Sequence, residues 1–156
     1  MAKRRMRVTF AVTGESVTAD LLDDEAPHTA QLVWEMLPLE LKPQHGMFSG
    51  QEIFVLTPEA KPMPQENLVT LPLPGEILYF YDGGGSVTTG RRQIGEICLV
   101  YGRGVTLRGP EGQNTVCSLF ARIPGDWKTD WVAFADACRR VRLEGPQPLR
   151  FERAEG

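Results

Sequence analysis

Apolar and polar positions alternate at the start of the chain. Met6, Val8, Phe10 and Val12 interleave with Arg5, Arg7 and Thr9, which predicts a half-buried strand. Gly14-Glu15, with glycine first, predicts a two-residue type II′ hairpin turn, after which Val17, Ala19 and Leu21 resume the alternation. The period then changes. Ala30, Val33, Trp34 and Leu37 follow helical spacing, with Pro27 in the first turn, Asp23, Asp24 and Glu25 at the positive end and Pro38 as the stop. Residues 39–50 read as turn-rich extended chain, Gln51–Leu56 as a strand and 57–74 as a proline-rich loop. Glu76–Tyr81 (EILYFY) and Ile94–Tyr101 predict strands on either side of a glycine-rich excursion at 82–93. A turn region at 102–113 leads to a further strand at Thr115–Ile123. Trp127, Trp131, Phe134, Ala135, Cys138 and Val141 then form one stripe of a second helix. Asp126 and Asp130 near its start and Arg139, Arg140 and Arg142 near its end suit the macrodipole, and Gly145-Pro146 ends it. Leu149 and Phe151 predict a last short strand.

This order predicts a mostly β domain with two helices: a closed antiparallel β-barrel capped by both helices, spanning 1–156 as one unit with no internal repeat. Four short runs carry a resemblance: Pro27-His28-Thr29-Ala30, Gln51-Glu52-Ile53-Phe54, Pro74-Gly75-Glu76-Ile77-Leu78-Tyr79-Phe80, and Val100-Tyr101-Gly102-Arg103. In these the chain resembles the cyclophilin topology, and more specifically the small bacterial cyclophilin-like proteins of uncharacterised function. The resemblance implies the barrel fold. It does not bring prolyl isomerase chemistry, because that site uses a Phe-His-Arg run, and the two histidines here, His28 and His45, stand in no such run.

Composition narrows the function classes. The 156 residues are 42% hydrophobic and 24% charged, enough for one core. A net charge of -3 argues against nucleic-acid binding, and Lys3, Arg4, Arg5 and Arg7 read as a solvated terminus leading into a strand. No apolar run approaches the ~20 residues of a membrane span, and Arg7, Thr9 and Thr13 interrupt any signal-peptide core. Cys98, Cys117 and Cys138 are odd in number, lack CxxC spacing and lie in apolar stretches, so buried thiols in a reducing cytoplasm are expected.

The strongest candidate site is the segment His45–Glu52. Glu52 stands in a strand apolar on both faces, and a buried carboxylate needs a partner or a raised pKa. Arg103 or Arg122 is the expected partner, either in a structural ion pair or beside a carboxylate poised as base or ligand anchor with His45 nearby. His45 and Ser49 are candidates for a base and nucleophile, although no G-x-S-x-G elbow surrounds Ser49. Gly85–Arg92 has the glycine spacing of a phosphate loop but Arg91-Arg92 where Lys-Ser/Thr is needed, which excludes nucleotide hydrolysis; Arg91 and Arg92 remain candidates to clamp an anion. No metal site is expected, since His45 and Glu52 lack further ligands at metal spacing, and no cofactor is implied.

These residues lead to one expectation: a small polar or anionic metabolite bound at the barrel mouth by His45, Ser49, Glu52, Tyr101, Arg103, Arg91 and Arg92, with catalysis left open. The alternatives are a non-catalytic subunit of an oligomer, associating through its proline-rich loop and tryptophans, and, more distantly, a peptidyl-prolyl isomerase.

Overall fold

The computed structural model describes residues 3–154. They form ten strands and two helices: β1 (Arg5–Phe10), β2 (Ser16–Leu21), α1 (Pro27–Met36), β3 (Leu39–Leu41), β4 (Gln44–His45), β5 (Glu52–Leu56), β6 (Leu68–Val69), β7 (Glu76–Asp82), β8 (Ile94–Val100), β9 (Cys117–Arg122), α2 (Val132–Glu144) and β10 (Leu149–Ala154). One antiparallel sheet runs β3-β10-β1-β2-β9-β7-β8-β5-β4, with β6 added to β9.

The expected closed barrel does not form: the sheet has two edges, β3 and β4, and no ladder joins them. Only Lys42 and Pro43 separate these strands, so the chain itself holds the edges within about 11 Å and curls the sheet. Closure stops there because the edge strands are three and two residues long. Pro43 at the corner also has no N–H to offer a ladder.

Both helices lie where their periodicity placed them, with two corrections at their starts. Helix α1 begins at Pro27, but no acidic residue stands in its first turn. Its negative charge comes from Glu66 in the proline-rich loop, whose Oε1 accepts the Thr29 backbone N–H at 2.9 Å. Asp23 instead pairs with Arg4 at 2.5 Å. Helix α2 starts only at Val132. Asp126 and Asp130 close their own turn, with Asp130 Oδ2 accepting the Asp126 N–H at 2.6 Å. Gly145, at φ +93, ends the helix in a conformation that side chains resist.

The opening hairpin is also looser than the expected two-residue turn. Its ladder closes at Phe10 and Glu15, leaving Val12 exposed in the connection.

The central strands are buried on both faces, which explains runs such as EILYFY that do not alternate. One face holds the main core. Ile53, Val55, Ile77, Tyr79, Ile97, Leu99 and Phe120 join β1, β2, α1 and α2 there. Helix α1 rests on β9, and α2 packs against β4 and β5. Tyr79 is fully buried, yet its hydroxyl donates to the Lys61 carbonyl at 2.6 Å and accepts the Lys61 N–H at 3.1 Å. This satisfaction avoids the ~1–3 kcal/mol cost of a stranded polar group and ties the proline-rich loop to the core. On the opposite face Leu78, Val100, Cys117 and Leu119 pack beneath Val105 and Leu107 of the segment after β8.

Candidate functional site

The second face is only partly covered, and the uncovered part is a cavity of about 310 Å³. Its position follows from register. Glu52, Phe54 and Leu56 of β5 stand opposite Val100, Cys98 and Glu96 of β8, and Phe80 of β7 stands opposite Glu96. Cross-strand partners share a face, so the two-residue period gathers Glu52, Phe54, Glu96, Cys98 and Phe80 on one floor. Ser49, Phe48, Thr89, Arg92 and Arg108 from three loops form its walls. The site therefore lies on the outer face of the curled sheet, away from the main core.

Glu52 is held by the loop that precedes it. The Gly46 N–H donates to the Glu52 carbonyl at 2.9 Å, and the Ser49 carbonyl accepts the Thr106 N–H at 3.1 Å. The Ser49 hydroxyl donates to Glu52 Oε1 at 2.7 Å. Glu52 Oε2 is buried and meets no N–H or O–H donor of the protein, although the Cys98 thiol lies close enough to the carboxyl to act on it. Burial pushes the Glu52 carboxyl up to about 7, against the opposing pull of hydrogen bonds from Ser49 and Cys98. Glu96, partly buried, is pushed up to about 8 by burial first and then by the charges of Glu52 and Asp82. Cys98 lies between the two carboxyls and is held well above the usual thiol range by its hydrogen bond with Cys117 and by burial. It is a protonated thiol at neutral pH and a poor nucleophile.

Gly46 is required by this geometry. A Cβ there would fall 2.7 Å from Glu52 Oε1 and nearer still to Ser49 Oγ. Gly46→Ala is therefore expected to cost about 1–3 kcal/mol through overpacking, measured by urea unfolding, and to push Ser49 away from Glu52.

His45 turns away from Glu52. Its Nε2 lies 2.7 Å from the Tyr101 hydroxyl and its Nδ1 3.0 Å from the Gly46 carbonyl. Since a carbonyl only accepts, Nδ1 carries the proton and Nε2 accepts from Tyr101. Burial lowers the His45 pKa, the Gly46 carbonyl opposes that, and Arg142 lowers it further. The imidazole is neutral and committed, so Ser49 and His45 form no nucleophile–base pair.

Of the other candidates, Arg92 lines the cavity, its Nε donating to the Thr89 carbonyl at 3.0 Å. Arg91, at φ +58, is exposed and outside the wall, and Arg103 is exposed beyond the Tyr101-Gly102 corner. Neither expected guanidinium reaches Glu52: Arg122 pairs with buried Glu76 at 2.9 Å. Glu96, Cys98, Phe80 and Arg108 were not anticipated. The available signal was Glu96 inside the apolar run IGEICLV, facing the same way as Cys98. Among the described residues, no group of three or more His, Cys, Asp or Glu is placed to hold a metal ion, no helix is long and apolar enough to cross a membrane, and all three cysteines are unbridged.

A sequence family described as "Protein of unknown function (DUF3830)" matches residues 8–153. No curated protein matches the chain. Among solved structures, McbB in complex with tryptophan superposes with a TM-score of 0.68 at 18% identity, over 97% of this chain. The chain spans 45% of the length of McbB. The solution structure of the hypothetical protein AF2241 from Archaeoglobus fulgidus gives 0.59 at 18% identity, over 97% of this chain and 95% of that one. Likeness at this identity extends to the fold alone.

Proposed function

The chain belongs to the DUF3830 family of unknown function, and we propose that it binds a small molecule carrying a basic nitrogen on an apolar body, in the cavity between Glu52 and Glu96. The observation that carries this reading is the Glu52 carboxyl, buried with one oxygen unpartnered and facing a second carboxyl across an apolar floor. A buried carboxylate is costly until a charge-assisted donor meets it, and an ammonium or amidinium group supplies that donor. Phe48, Phe54 and Phe80 offer flat apolar contact, and the volume is at the small end of ligand pockets. Arg92 and Arg108 in the wall suit a carboxylate on the same molecule, so amino acids fit as well as simple amines. The tryptophan bound by McbB is a ligand of this chemical kind.

Kinship with cyclophilin-like proteins stays part of this proposal and lends it no site. His28 is exposed beside Glu66, and His45 is occupied by Tyr101. The association reading loses one of its two supports, because Trp131 is buried against Phe134; Leu71 and Leu73 of the proline-rich loop are exposed.

Thermal unfolding with phenethylamine, tryptophan and phenylacetate tests the proposal. Phenethylamine or tryptophan at ten times its Kd is expected to stabilise the protein by about 1.4 kcal/mol, and phenylacetate not at all. Binding is expected to release protons near pH 7, seen as buffer-dependent heat in calorimetry. No stabilisation by either amine, or equal binding by Glu52→Gln and Glu96→Gln, overturns the reading.

A further inference from the structure

We infer that the cavity is a proton-transfer site, in which Glu52 is the base that takes a proton from a bound C–H or N–H acid and Glu96 is the acid that returns one further along the same molecule. The inference rests on the cavity being a ligand site and goes beyond it in naming chemistry.

Three independent features support it. The first is the division of labour between the oxygens of Glu52: Ser49 holds Oε1 at 2.7 Å, while Oε2 is buried in the cavity floor and meets no N–H or O–H donor, with only the weak Cys98 thiol near the carboxyl. A carboxylate kept only for structure is hydrogen-bonded on both oxygens or paired with a cation, as Glu76 is with Leu73 N–H and Arg122 in this same fold. The second is placement. Glu52 and Glu96 stand four residues apart on facing strands, about 13 Å along the sheet, with Phe54 and Cys98 between them. A one- or two-ring molecule lying on that floor meets one carboxyl at each end. The third is surroundings. Burial on the apolar floor of Phe54 and Phe80 strengthens a carboxylate as a base, and both groups change protonation near neutral pH, with Glu52 at about 7 and Glu96 at about 8, so one is ready to accept while the other still holds its proton. The charged and titratable groups about the pair are His45 on β4, Asp82 on β7, Cys98 on β8, Cys117 on β9, and Arg92 and Arg108 from the loops.

The step is balanced without a cofactor. The Glu52 carboxylate forms an O–H bond as the ligand C–H bond breaks; the freed electron pair moves along the conjugated ligand; its far end takes the Glu96 proton. The ligand leaves as an isomer, with Glu52 protonated and Glu96 ionised, and exchange with water restores the pair. Ser49 is a positioning residue. Its hydrogen bond to Oε1 fixes the carboxyl and favours its ionised form.

The probe is 5-nitrobenzisoxazole, a neutral aromatic carbon acid. Loss of its ring C–H proton to a base breaks the N–O bond, and the electron pair leaves on a coloured phenolate. The intact protein is expected to accelerate this elimination over the same concentration of acetate, with a rate rising through pH about 7. Glu52→Gln is expected to lower the rate at least tenfold, and Ser49→Ala to move the midpoint of the pH profile upward. Unfolding midpoints of the variants establish that each is folded. A wild-type rate no better than acetate, a Glu52→Gln rate equal to wild type, or an unmoved Ser49→Ala profile overturns the inference. Amine binding without elimination leaves the ligand site standing and removes the chemistry, whereas elimination without amine binding keeps the cavity as a ligand site and its chemistry and removes only the preference for a basic nitrogen.

Discussion

Glu52→Gln is expected to make the protein more stable at pH 8.5 by about 3 kcal/mol while leaving it near wild type at pH 5. The folded Glu52 titrates at about 7 against an unfolded value of 4.5. Below pH 4.5 both states hold the proton, and the group is neutral to stability on either side. As pH rises the unfolded chain ionises first, while the native state keeps its proton, so the unfolded state gains and stability falls until the folded group also ionises. A shift of roughly 2.5 units at 1.36 kcal/mol per unit sets the size of the loss. Glu96 adds a second loss ending near pH 8, smaller than its shift implies, at about 2 kcal/mol, because it keeps some contact with solvent. The double variant gains less than the sum, since part of the Glu96 shift is the Glu52 charge itself.

The difference between wild type and Glu52→Gln isolates this effect, because the loss runs from pH 4.5 to about 7 in the wild type alone while the His45 contribution is common to both. His45 has a lowered pKa, so its contribution is complete above its unfolded value of 6.5 and is lost only as pH falls. Urea unfolding at pH 5, 7 and 8.5 measures the prediction. Parallel pH profiles for wild type and Glu52→Gln contradict the burial assigned to this carboxyl.

Much of the architecture was readable from periodicity because each helix and most strands bury one repeating face. Pro27, Val33 and Phe134 announced the helices, and Met6, Val8 and Phe10 the first strand. Three kinds of feature were not readable. The short strands β3, β4 and β6 hold too few residues to show a period. Barrel closure depends on whether two edges meet at Lys42 and Pro43, a long-range outcome that no local pattern encodes. The helix charges at Asp23 and Asp126 were local expectations that the structure overrides, through the distant Glu66 for one helix and a self-closed turn of Asp126 and Asp130 for the other.

The site was half legible for a related reason. Glu52 and Ser49 are three residues apart, and their contact follows from one tight loop. Glu96 reaches the same cavity only through the β5–β8 register, which sets Leu56 opposite it. Arg103 was attractive because it follows the Val100-Tyr101 strand, but the turn at Gly102 carries it into solvent. Without a register, a carboxylate in an apolar strand suggests a guanidinium partner. With it, the same residue faces a second acid.

Phe134→Ala is expected to be the most damaging truncation on the opposite face of the sheet, at about 3–5 kcal/mol. The ring is buried in α2, 5.3 Å from the Phe10 ring and 6.3 Å from that of Trp131, and so joins the helix to the first strand. For a chain of this length the loss corresponds to a fall in Tm of about 10 °C. The informative part is what does not change. Ile53, Val55, Ile97 and Leu99 face α2, whereas their neighbours Glu52, Phe54, Glu96 and Cys98 face the cavity. The two environments are separated by a single layer of backbone. The variant should keep the wild-type decline of stability between pH 5 and 8.5, shifted down as a whole, and the same pH midpoint for proton transfer below its melting transition. A change in either slope means that the helix-facing core sets the carboxyl positions, and that the two faces of the sheet act as one unit.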